Sequence, residues 1–373
     1  MSDTPGTNTT ATTGTARLAA ADIADLARGA AILGTGGGGD PYIGQLMALE
    51  ALEENGPVEL VTPAALPDDA QILPVAMMGA PTVMIEKLPS VEQFVVAVDA
   101  LGRYLGVTPT HIACMEAGGV NSTIPIVAAA QMGLPLLDGD FMGRAFPELQ
   151  MVTATLFGIP ATPMSITDDK GNAGIFTTVS NLWAERLARV VTVEMGAAAI
   201  VSLYPMRGHQ AREAAVADTL SLCVRLGRAV REARAVHADP VAAVAQVLGG
   251  RLIHRGKVVD VVRRTTAGFA RGEAKLAGLE ANAGTTLALS FQNEHIIATR
   301  DGVVLATAPD LLICLDMDTG EPITTESLRF GHRIALVAAP CDARWQTPAG
   351  IELVGPRYFG YDLDPVRWDQ VAL

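Results

Sequence analysis

The spacing of apolar residues at the start of the chain predicts two helices joined by a glycine-rich loop. Apolar side chains recur every three or four positions over residues 21–33, which is typical of one face of a helix. Glycines then interrupt the pattern over residues 34–39. Asp40 and Pro41 follow. Because aspartate favours helix N-caps and proline suits the first helical turn, we predict a second helix from Tyr42 onward.

A strand–helix–strand pattern comes next and predicts a parallel sheet. Residues 71–78 and 110–115 are apolar runs of strand length. Residues 122–132 have a helical pattern, and residues 134–137 form another short apolar run. A strand, a helix and a strand within about 28 residues make a compact βαβ unit, whose two strands run parallel.

The second half of the chain has a different pattern, which indicates β-structure after Gly249. A helix is predicted over residues 211–236. Turn signals such as Asp301-Gly302 and Thr319-Gly320 then separate short apolar runs. The predicted strands are residues 257–263, 285–291, 303–307, 311–315, 334–338 and 351–354.

These patterns predict the α/β fold class with two domains. We place the boundary at a polar break over residues 165–171. An N-terminal α/β domain with a parallel sheet then covers residues 17–168, and a β-rich C-terminal domain covers residues 169–373. Residues 1–16 hold seven threonines but no basic start and no apolar segment. We interpret them as a disordered tail and not as a secretory signal.

Composition excludes several classes of protein. Of the 373 residues, 49% are hydrophobic and 18% charged, so the chain can bury large cores. The net charge of −13 argues against nucleic acid as a partner. No apolar run approaches the roughly 18–20 residues that span a bilayer, so no membrane partner is expected. The four cysteines lie far apart without CxxC pairing, which favours neither disulfides nor a zinc ribbon, and we expect a cytoplasmic location.

Charge is distributed unevenly along the chain. Residues 1–110 carry four basic and 13 acidic side chains, whereas residues 225–275 carry 11 basic and four acidic ones. An arginine recurs every three residues from Arg225 to Arg234, as on one flank of a helix. Most such rows are solvated faces, and the others bind anions or partners. The two regions together permit a homo-oligomeric contact.

The glycine loop has two interpretations. Gly34, Gly36 and Gly39 satisfy GxGxxG, but a dinucleotide fingerprint needs a strand before the loop and here a helix precedes it, so no nucleotide cofactor is expected. Backbone N–H groups of glycines and the positive end of the next helix can bind a ligand. A tight helix–helix connection is the equally simple alternative. The candidate substrate-binding residues are Gly36, Gly37, Gly38, Gly39 and Asp40.

Carboxylates follow both strands of the βαβ unit. Glu116 follows the first strand, Asp138 ends the second and Asp140 comes two residues later. Because ligands bind outside the carboxyl ends of parallel strands, we expect these groups to converge near Asn121. They are suited to hold one divalent cation, which makes all three candidate metal ligands, or to supply a general base. Alternatively, Asp138 and Asn121 only cap helices.

Two further segments carry candidate site residues. Arg144 and Glu148 are four residues apart, which is typical of an ion pair, but Pro147 between them disfavours a regular helix. We therefore consider both as catalytic candidates, with Arg144 facing a ligand carboxylate or oxyanion. Polar groups also cluster at the end of an apolar run, with no HExxH, HxH or GxSxG motif in the chain. These candidate substrate-binding residues are Asn293, Glu294 and His295, and Asn121 of the βαβ unit is a further one.

Seven segments together resemble the S-methyl-thiohydantoin desulfurase family, which is often encoded beside hydantoinase/oxoprolinase subunits. They run in order from about residue 17 to about residue 363. The segments are residues 34–41 (GTGGGGDP), 116–122 (EAGGVNS), 138–151 (DGDFMGRAFPELQM), 204–206 (YPM), 290–294 (SFQNE), 309–326 (PDLLICLDMDTGEPITTE) and 355–361 (GPRYFGY). The resemblance implies an N-terminal α/β domain, a β-rich C-terminal domain and a site in the cleft between them. Phe141 and Arg207 depart from the family pattern and are expected to reshape the pocket.

The activity that the resemblance implies is hydrolytic removal of sulfur from a thiohydantoin ring, leaving a hydantoin and sulfide or thiol. The base or metal-ligand role would fall to Asp138, Asp140 and Glu116, while Arg144 and loop amides stabilise negative charge. Two alternatives remain open: a hydantoinase- or oxoprolinase-type cyclic-amide hydrolase or its subunit, and a non-catalytic ring-binding module. The expected partners are a small cyclic amide or thioamide substrate, a second copy of the chain or a hydantoinase.

Overall fold

The computed structural model describes residues 16–79, 90–266 and 269–370. The predicted disordered tail, residues 1–16, lies outside these residues except for Ala16, where the first strand begins. The α-helices are α1 (Ile23–Leu33), α2 (Tyr42–Asn55), α3 (Val91–Leu105), α4 (Ile124–Met132), α5 (Thr153–Leu156), α6 (Asn181–Glu194), α7 (Gly208–Ala214), α8 (Thr219–Ala235), α9 (Pro240–Leu248) and α10 (Pro348–Val354).

The strands of the described residues belong to three sheets. They are β1 (Ala16–Leu18), β2 (Val58–Val61), β3 (Gln71–Gly79), β4 (His111–Cys114), β5 (Leu136–Leu137), β6 (Gly139–Asp140), β7 (Met164–Thr167), β8 (Ala173–Phe176), β9 (Ala198–Ser202), β10 (Met206–Arg207), β11 (Val216–Ala217), β12 (Arg251–Thr266), β13 (Phe269–Gly278), β14 (Thr286–Gln292), β15 (Glu294–Arg300), β16 (Val303–Thr307), β17 (Leu311–Asp316) and β18 (Arg333–Ala339).

The N-terminal sheet has a parallel centre. Its described strands lie in the order β1-β2-β5-β4-β3-β9-β7-β8, with β10 beside β3. Strands β2, β5, β4 and β3 are parallel, whereas β9, β7 and β8 are antiparallel to their neighbours. Strand β4 is buried on both faces, as central parallel strands are, and α4 packs against it. The pairing of β4 with β5 across α4 confirms the predicted βαβ unit.

The C-terminal sheet is antiparallel throughout. Its described strands lie in the order β16-β15-β14-β13-β12-β18-β17. Asp301 and Gly302 both have positive φ, 49° and 84°, and form the predicted two-residue hairpin turn between β15 and β16. The predicted α/β class with a β-rich second half is thus confirmed. Strands β7 and β9, which come before and after the predicted boundary at 168/169, pair with each other in the N-terminal sheet.

Two predicted elements are wrong. The helix predicted over residues 211–236 is broken into α7, β11 and α8, because β11 pairs with β6 and Asp218 adopts a left-handed conformation (φ 61°). Residues 351–354 lie in helix α10 and not in a strand. Pro348 occupies its first turn and the Thr347 hydroxyl accepts a hydrogen bond from Gly350 N–H (3.1 Å), so local capping favours the helix.

The predicted arginine row is used inside the chain. Helices α1 and α8 pack closely, since a Cβ on Gly227 would lie 1.9 Å from the Asp25 carbonyl oxygen. Arg228 lies 3.5 Å from Asp22, and Arg231 lies 2.9 Å from Asp25. These ion pairs join α8 to α1, while both arginines stay exposed, as the solvated-face interpretation predicts.

Two further findings concern the cysteines and the length and polarity of the helices. All four cysteines are free, as the sequence predicts. None of the helices in residues 16–79, 90–266 and 269–370 is both long and apolar enough to cross a membrane.

Candidate active site

A cavity of about 480 Å³ lies at the carboxyl end of β3 and β4, a size that suits a small molecule. Its lining comes from both halves of the chain. The N-terminal half contributes the glycine loop, the end of β3, Glu116, Asn121 and residues 146–149. The C-terminal half contributes Asn293, Glu294 and residues 324–326.

The glycine loop, residues 36–39, forms one wall of this cavity. A Cβ on Gly37 would lie 2.0 Å from Glu294 Oε1, and a Cβ on Gly38 would lie 2.4 Å from the Gly118 carbonyl oxygen. Gly38 also has a φ of +72°. Side chains are thus excluded from the loop because it lies between the turn after β4 and the turn before β15. The loop is a cavity wall as well as a helix connection.

The β14–β15 turn places Glu294 against that loop. Asn293 has a positive φ of 57°, and its side chain accepts a hydrogen bond from Ala270 N–H (2.8 Å). Its own N–H donates to the Ala270 carbonyl (2.8 Å). Thr325 clamps the turn to the loop, since its hydroxyl lies 2.6 Å from the Asn293 carbonyl and 3.0 Å from the Gly36 carbonyl.

Two buried carboxyl groups, Glu116 and Glu294, form what we call the cavity pair. Burial raises the pKa of Glu294 to about 8. Burial and then the charge of Glu294 raise the pKa of Glu116 well above its ordinary value. Both carboxyl groups therefore hold their protons to higher pH than a free glutamate does, and a negative charge on Glu294 favours the protonated form of Glu116. Among the described residues, Glu294 Oε2 is buried and has no hydrogen-bond partner.

Asn121 links the pair to the sheet. Its Oδ1 accepts a hydrogen bond from Met77 N–H (2.8 Å), and its Nδ2 donates to the Met77 carbonyl (3.3 Å). The same Nδ2 lies 3.5 Å from Glu116 Oε1. Asn121 therefore lies in the cavity wall close to Glu116, as predicted, and its amide orients the Glu116 carboxyl group.

Asp138 and Asp140, which we call the strand-end pair, lie outside the cavity lining. Asp138 accepts hydrogen bonds from Ser221 N–H (3.0 Å) and the Ser221 hydroxyl, so it caps the start of α8. Asp140 accepts from Ala117 N–H (2.8 Å) and Gly143 N–H (2.9 Å), although burial still raises its pKa to about 7. Backbone donors thus occupy both carboxylates, and the capping alternative holds for Asp138.

The predicted three-carboxylate metal site is not formed. Glu116 faces the cavity, whereas Asp138 faces α8 and Asp140 faces the turn at Ala117. In the described ranges, no group of three or more His, Cys, Asp or Glu side chains is placed to hold a metal ion. The three carboxyl groups do not converge because strands that end at the same sheet edge need not direct the side chains that follow them to the same place.

Arg144 is buried, holds neighbouring segments together through hydrogen bonds and does not line the cavity. Its guanidinium donates to the Asp310 carbonyl (2.7 Å), the Pro309 carbonyl (3.0 Å) and the Thr35 hydroxyl (2.8 Å). Burial lowers its pKa to about 10, so it stays charged at neutral pH. That charge opposes the effect of burial on the pKa of Glu294. Arg144 therefore acts on the cavity through Glu294 and not on a ligand.

Three further candidates, Glu148, Asp40 and His295, lie in three different environments. Glu148 lines the cavity and accepts a hydrogen bond from the Tyr358 hydroxyl (2.9 Å), not from Arg144. Asp40 is exposed, lies outside the lining and accepts a hydrogen bond from Tyr42 N–H (2.9 Å) just before α2, whose N-cap position is Pro41. His295 lies behind the glycine loop.

His295 has a structural environment. It is fully buried, and its Nδ1 lies 2.8 Å from the Leu312 carbonyl. Burial lowers its pKa to about 4, so the ring is neutral and donates a hydrogen bond to that carbonyl. A Cβ on Gly36 would lie 2.5 Å from the ring, which shows that the loop and the ring pack directly together.

Several cavity residues were missed by the sequence interpretation. Arg189 on α6 forms an ion pair with Glu185, and its guanidinium lies 4.6 Å from the centre of the Phe269 ring. Arg263 donates to the Leu328 carbonyl (3.1 Å) and lies beside Glu326, whose pKa burial raises. The segments 138–151 and 309–326 contain part of this wall. The missed lining residues include Met77, Met78, Met115, Phe146, Glu185, Arg189, Arg263, Thr324, Thr325 and Glu326.

The two departures from the family pattern lie away from the cavity lining. Phe141 is fully buried in the core under the N-terminal sheet, where its carbonyl accepts a hydrogen bond from Thr153 N–H (2.7 Å). Arg207 is exposed and donates to the Asp69 carbonyl (3.4 Å). The expectation that either side chain reshapes the pocket directly is therefore wrong.

The fold and the cavity define a two-part protein: an α/β half and a β-rich half that together line a small-molecule site. Comparison with protein families matches residues 21–178 to the S-Me-THD-like N-terminal domain and residues 179–367 to the S-Me-THD-like C-terminal domain. The chain belongs to this S-methyl-thiohydantoin desulfurase family. The comparison with curated proteins found no match.

A solved structure shares the fold. It is an X-ray crystal structure of a protein from Chromobacterium violaceum, a structural genomics target, with a TM-score of 0.78 and 21% sequence identity. The similarity covers 95% of this chain and 100% of that chain. At this identity the likeness describes the fold alone.

Proposed function

We propose that the protein hydrolyses a thiohydantoin ring at the carbon that carries sulfur, giving a hydantoin and sulfide. Membership of the S-Me-THD-like family supports a thiohydantoin-related enzyme. The observation that carries the proposal is the cavity pair: two buried carboxyl groups line one small cavity, and a charge on Glu294, whose pKa is raised to about 8, favours the protonated form of Glu116. One base and one acid in a single small cavity are the two groups that such a hydrolysis needs.

The step balances with water as the only co-reactant. The Glu294 carboxylate takes a proton from water, and the water oxygen forms a bond to the ring carbon of the C=S group. A tetrahedral intermediate forms, with its negative charge on sulfur. Glu116 donates its proton to that sulfur, the C–S bond breaks to release hydrosulfide, and the remaining hydroxyl gives its proton to the Glu116 carboxylate as it becomes the C=O of the hydantoin. In an S-methyl ring this carbon has a C=N bond and an S–CH3 group, so the negative charge falls on the ring nitrogen, which takes the Glu116 proton. The C–S bond then breaks, and the hydroxyl proton leaves with the thiolate as methanethiol.

The rest of the cavity suits a small polar ring with a polarisable atom. Met77, Met78, Met115 and Phe146 line it and are each at least nine-tenths buried. Thioether and aromatic groups are soft, so they accommodate sulfur better than water does. Asn121 and Asn293 stand beside the carboxyl groups and supply amide dipoles near the ring's N–H and C=O edges.

The test is incubation of the purified protein with 2-thiohydantoin, with sulfide release measured colorimetrically and ring products identified by mass spectrometry. We expect sulfide and hydantoin in equal amounts. S-methyl-thiohydantoin should release methanethiol instead. A ring-opened product that keeps sulfur would select a cyclic-amide hydrolase, and tight binding with no product would select a ring-binding module. Either result overturns the proposal.

A matched pair of variants separates the cavity from background chemistry. Glu294→Gln keeps the shape of the side chain but cannot take a proton. Glu273→Gln makes the same change on β13, opposite Ser290 and outside the cavity lining. Sulfide release should fall roughly 10²- to 10⁴-fold in the first variant and persist in the second.

A further inference from the structure

Helix α6 carries an apolar face that none of the described residues covers. Its inner face is buried, with Ala184, Glu185, Ala188 and Thr192 turned towards the molecule. Its outer face, together with Val179 two residues before the helix, carries large exposed apolar side chains. Their exposed fractions are Val179 91%, Leu182 38%, Trp183 46%, Leu187 41%, Val190 65% and Val193 63%.

These residues form one continuous stripe and are not scattered. At about 100° per residue, Trp183 and Val190 share the middle of the outer face, with Leu187 and Val193 on either side. Six side chains of this size and exposure present on the order of 500 Å² of apolar surface, which is comparable to the largest apolar patch of a typical monomer, a kind of surface that is often functional. Two such faces together reach the ~1,000 Å² expected of a specific interface.

The stripe is also self-complementary in charge. Arg186 and Glu194 are exposed on the same face, four residues before and four residues after Val190. Within the described part of the chain, neither has an ion-pair partner; the Arg186 guanidinium only lies 5.4 Å from the centre of the Trp183 ring. Against an antiparallel copy of α6 centred on Val190, Arg186 comes level with Glu194 of the second copy, about 6 Å from the centre along the axis.

We propose that two copies of this chain associate through α6, antiparallel, about a two-fold axis that passes near Val190. In this arrangement Val190 meets its own counterpart. Leu187 comes level with Val193 of the second copy, and each Arg186 is level with an oppositely charged residue. A two-fold interface requires such a pattern, because every contact between residues i and j occurs twice. The opposite side of α6 carries Glu185 and Arg189, so the interface lies directly behind a wall of the cavity.

The first test is the mass of the full-length protein by analytical ultracentrifugation across micromolar concentrations. We expect a dimer for the natural sequence and a monomer for Val190→Asp, because two carboxylates would meet at the axis. Val303→Asp is the matched control, since Val303 is 57% exposed on β16, and it should stay dimeric. A monomer for the natural sequence, or a dimer that survives Val190→Asp, would overturn the proposal.

A charge exchange tests the geometry itself. Arg186→Glu alone and Glu194→Arg alone should each weaken the dimer on the order of tenfold, because the pair occurs twice across the axis. The double variant, Arg186→Glu with Glu194→Arg, should recover the natural dissociation constant. Because both residues are exposed, circular dichroism should show an unchanged fold in all three. Failure of the double variant to recover would contradict the antiparallel arrangement.

Discussion

The cavity pair and the strand-end pair are both buried carboxyl groups close to the same loops, but different groups occupy their oxygens. Ser221 donates two hydrogen bonds to Asp138, and backbone N–H groups of Ala117 and Gly143 donate to Asp140. In the cavity pair, Glu294 Oε2 has no partner among the described residues. A buried carboxylate whose oxygens are filled by fixed donors holds the fold together, whereas one with a free oxygen can take a proton from a ligand.

The contrast between the two pairs predicts that the largest effect on turnover comes from changing Glu294. Glu294→Gln should lower kcat for sulfide release roughly 10²- to 10⁴-fold, because the general base is lost while the volume of the side chain is kept. Steady-state kinetics with 2-thiohydantoin measures this, with the melting temperature as a control for folding. A variant that keeps most of its activity would move the reaction away from the cavity pair.

The pH profile should report the same group. Since Glu294 acts as a base only when ionised and its pKa is raised to about 8, kcat/KM should rise with pH and level off above about 8. The rise should approach tenfold per pH unit well below that value. The residual activity of Glu294→Gln, measured over the same range, reports any titration of the ring itself. A profile that is flat between pH 6 and pH 8 would argue against this base.

Stability should show the opposite dependence on pH. A carboxyl group with a raised pKa binds its proton more tightly in the folded state, so its contribution is fully present below the unfolded pKa. That contribution is lost as pH rises through about 8. Glu294→Gln, which has no proton to lose, should therefore gain stability relative to the natural protein between pH 5 and pH 9. Urea unfolding at several pH values measures the difference, and a constant difference would contradict the assignment.

The strand-end pair should affect stability without affecting turnover. Asp138→Ala removes the acceptor at the start of α8 and should lower the free energy of unfolding by about 1 kcal/mol. Ser221→Ala, which removes only the hydroxyl donor, is the matched control and should cost less. The kcat values of both variants should stay within about twofold of the natural protein. A large loss of kcat at Asp138 with little loss of stability would reverse the comparison.

The sequence predicts the elements that depend on local pattern. The βαβ unit of β4, α4 and β5 is correct because buried parallel strands and a crossover helix each leave a clear mark. Strand β13 was missed because its Ala, Gly and Lys residues have weak β-propensity and only pairing with β12 and β14 makes it a strand. Local order is therefore visible in the sequence, and pairing between distant segments is not.

Prediction of the candidate site is limited in the same way, because its residues come from distant segments of the chain. Glu116 and Glu294 were both singled out, but as members of different groups, because nothing in the sequence shows that residues 178 positions apart share a cavity. The error at Asp138 has the same origin, since its partner Ser221 is 83 residues away. Spacing identifies which carboxylates end strands. It does not show which donors the folded chain brings to them.

The central claim is that Glu116 and Glu294 act as one unit, and a double-mutant cycle tests it most directly. We would measure kcat for sulfide release in Glu116→Gln, Glu294→Gln and the variant with both changes. If one group donates the proton and the other accepts it in a single reaction, the double variant should be about as slow as the slower single variant. A double variant whose loss equals the product of the two single losses would show independent roles and contradict the account.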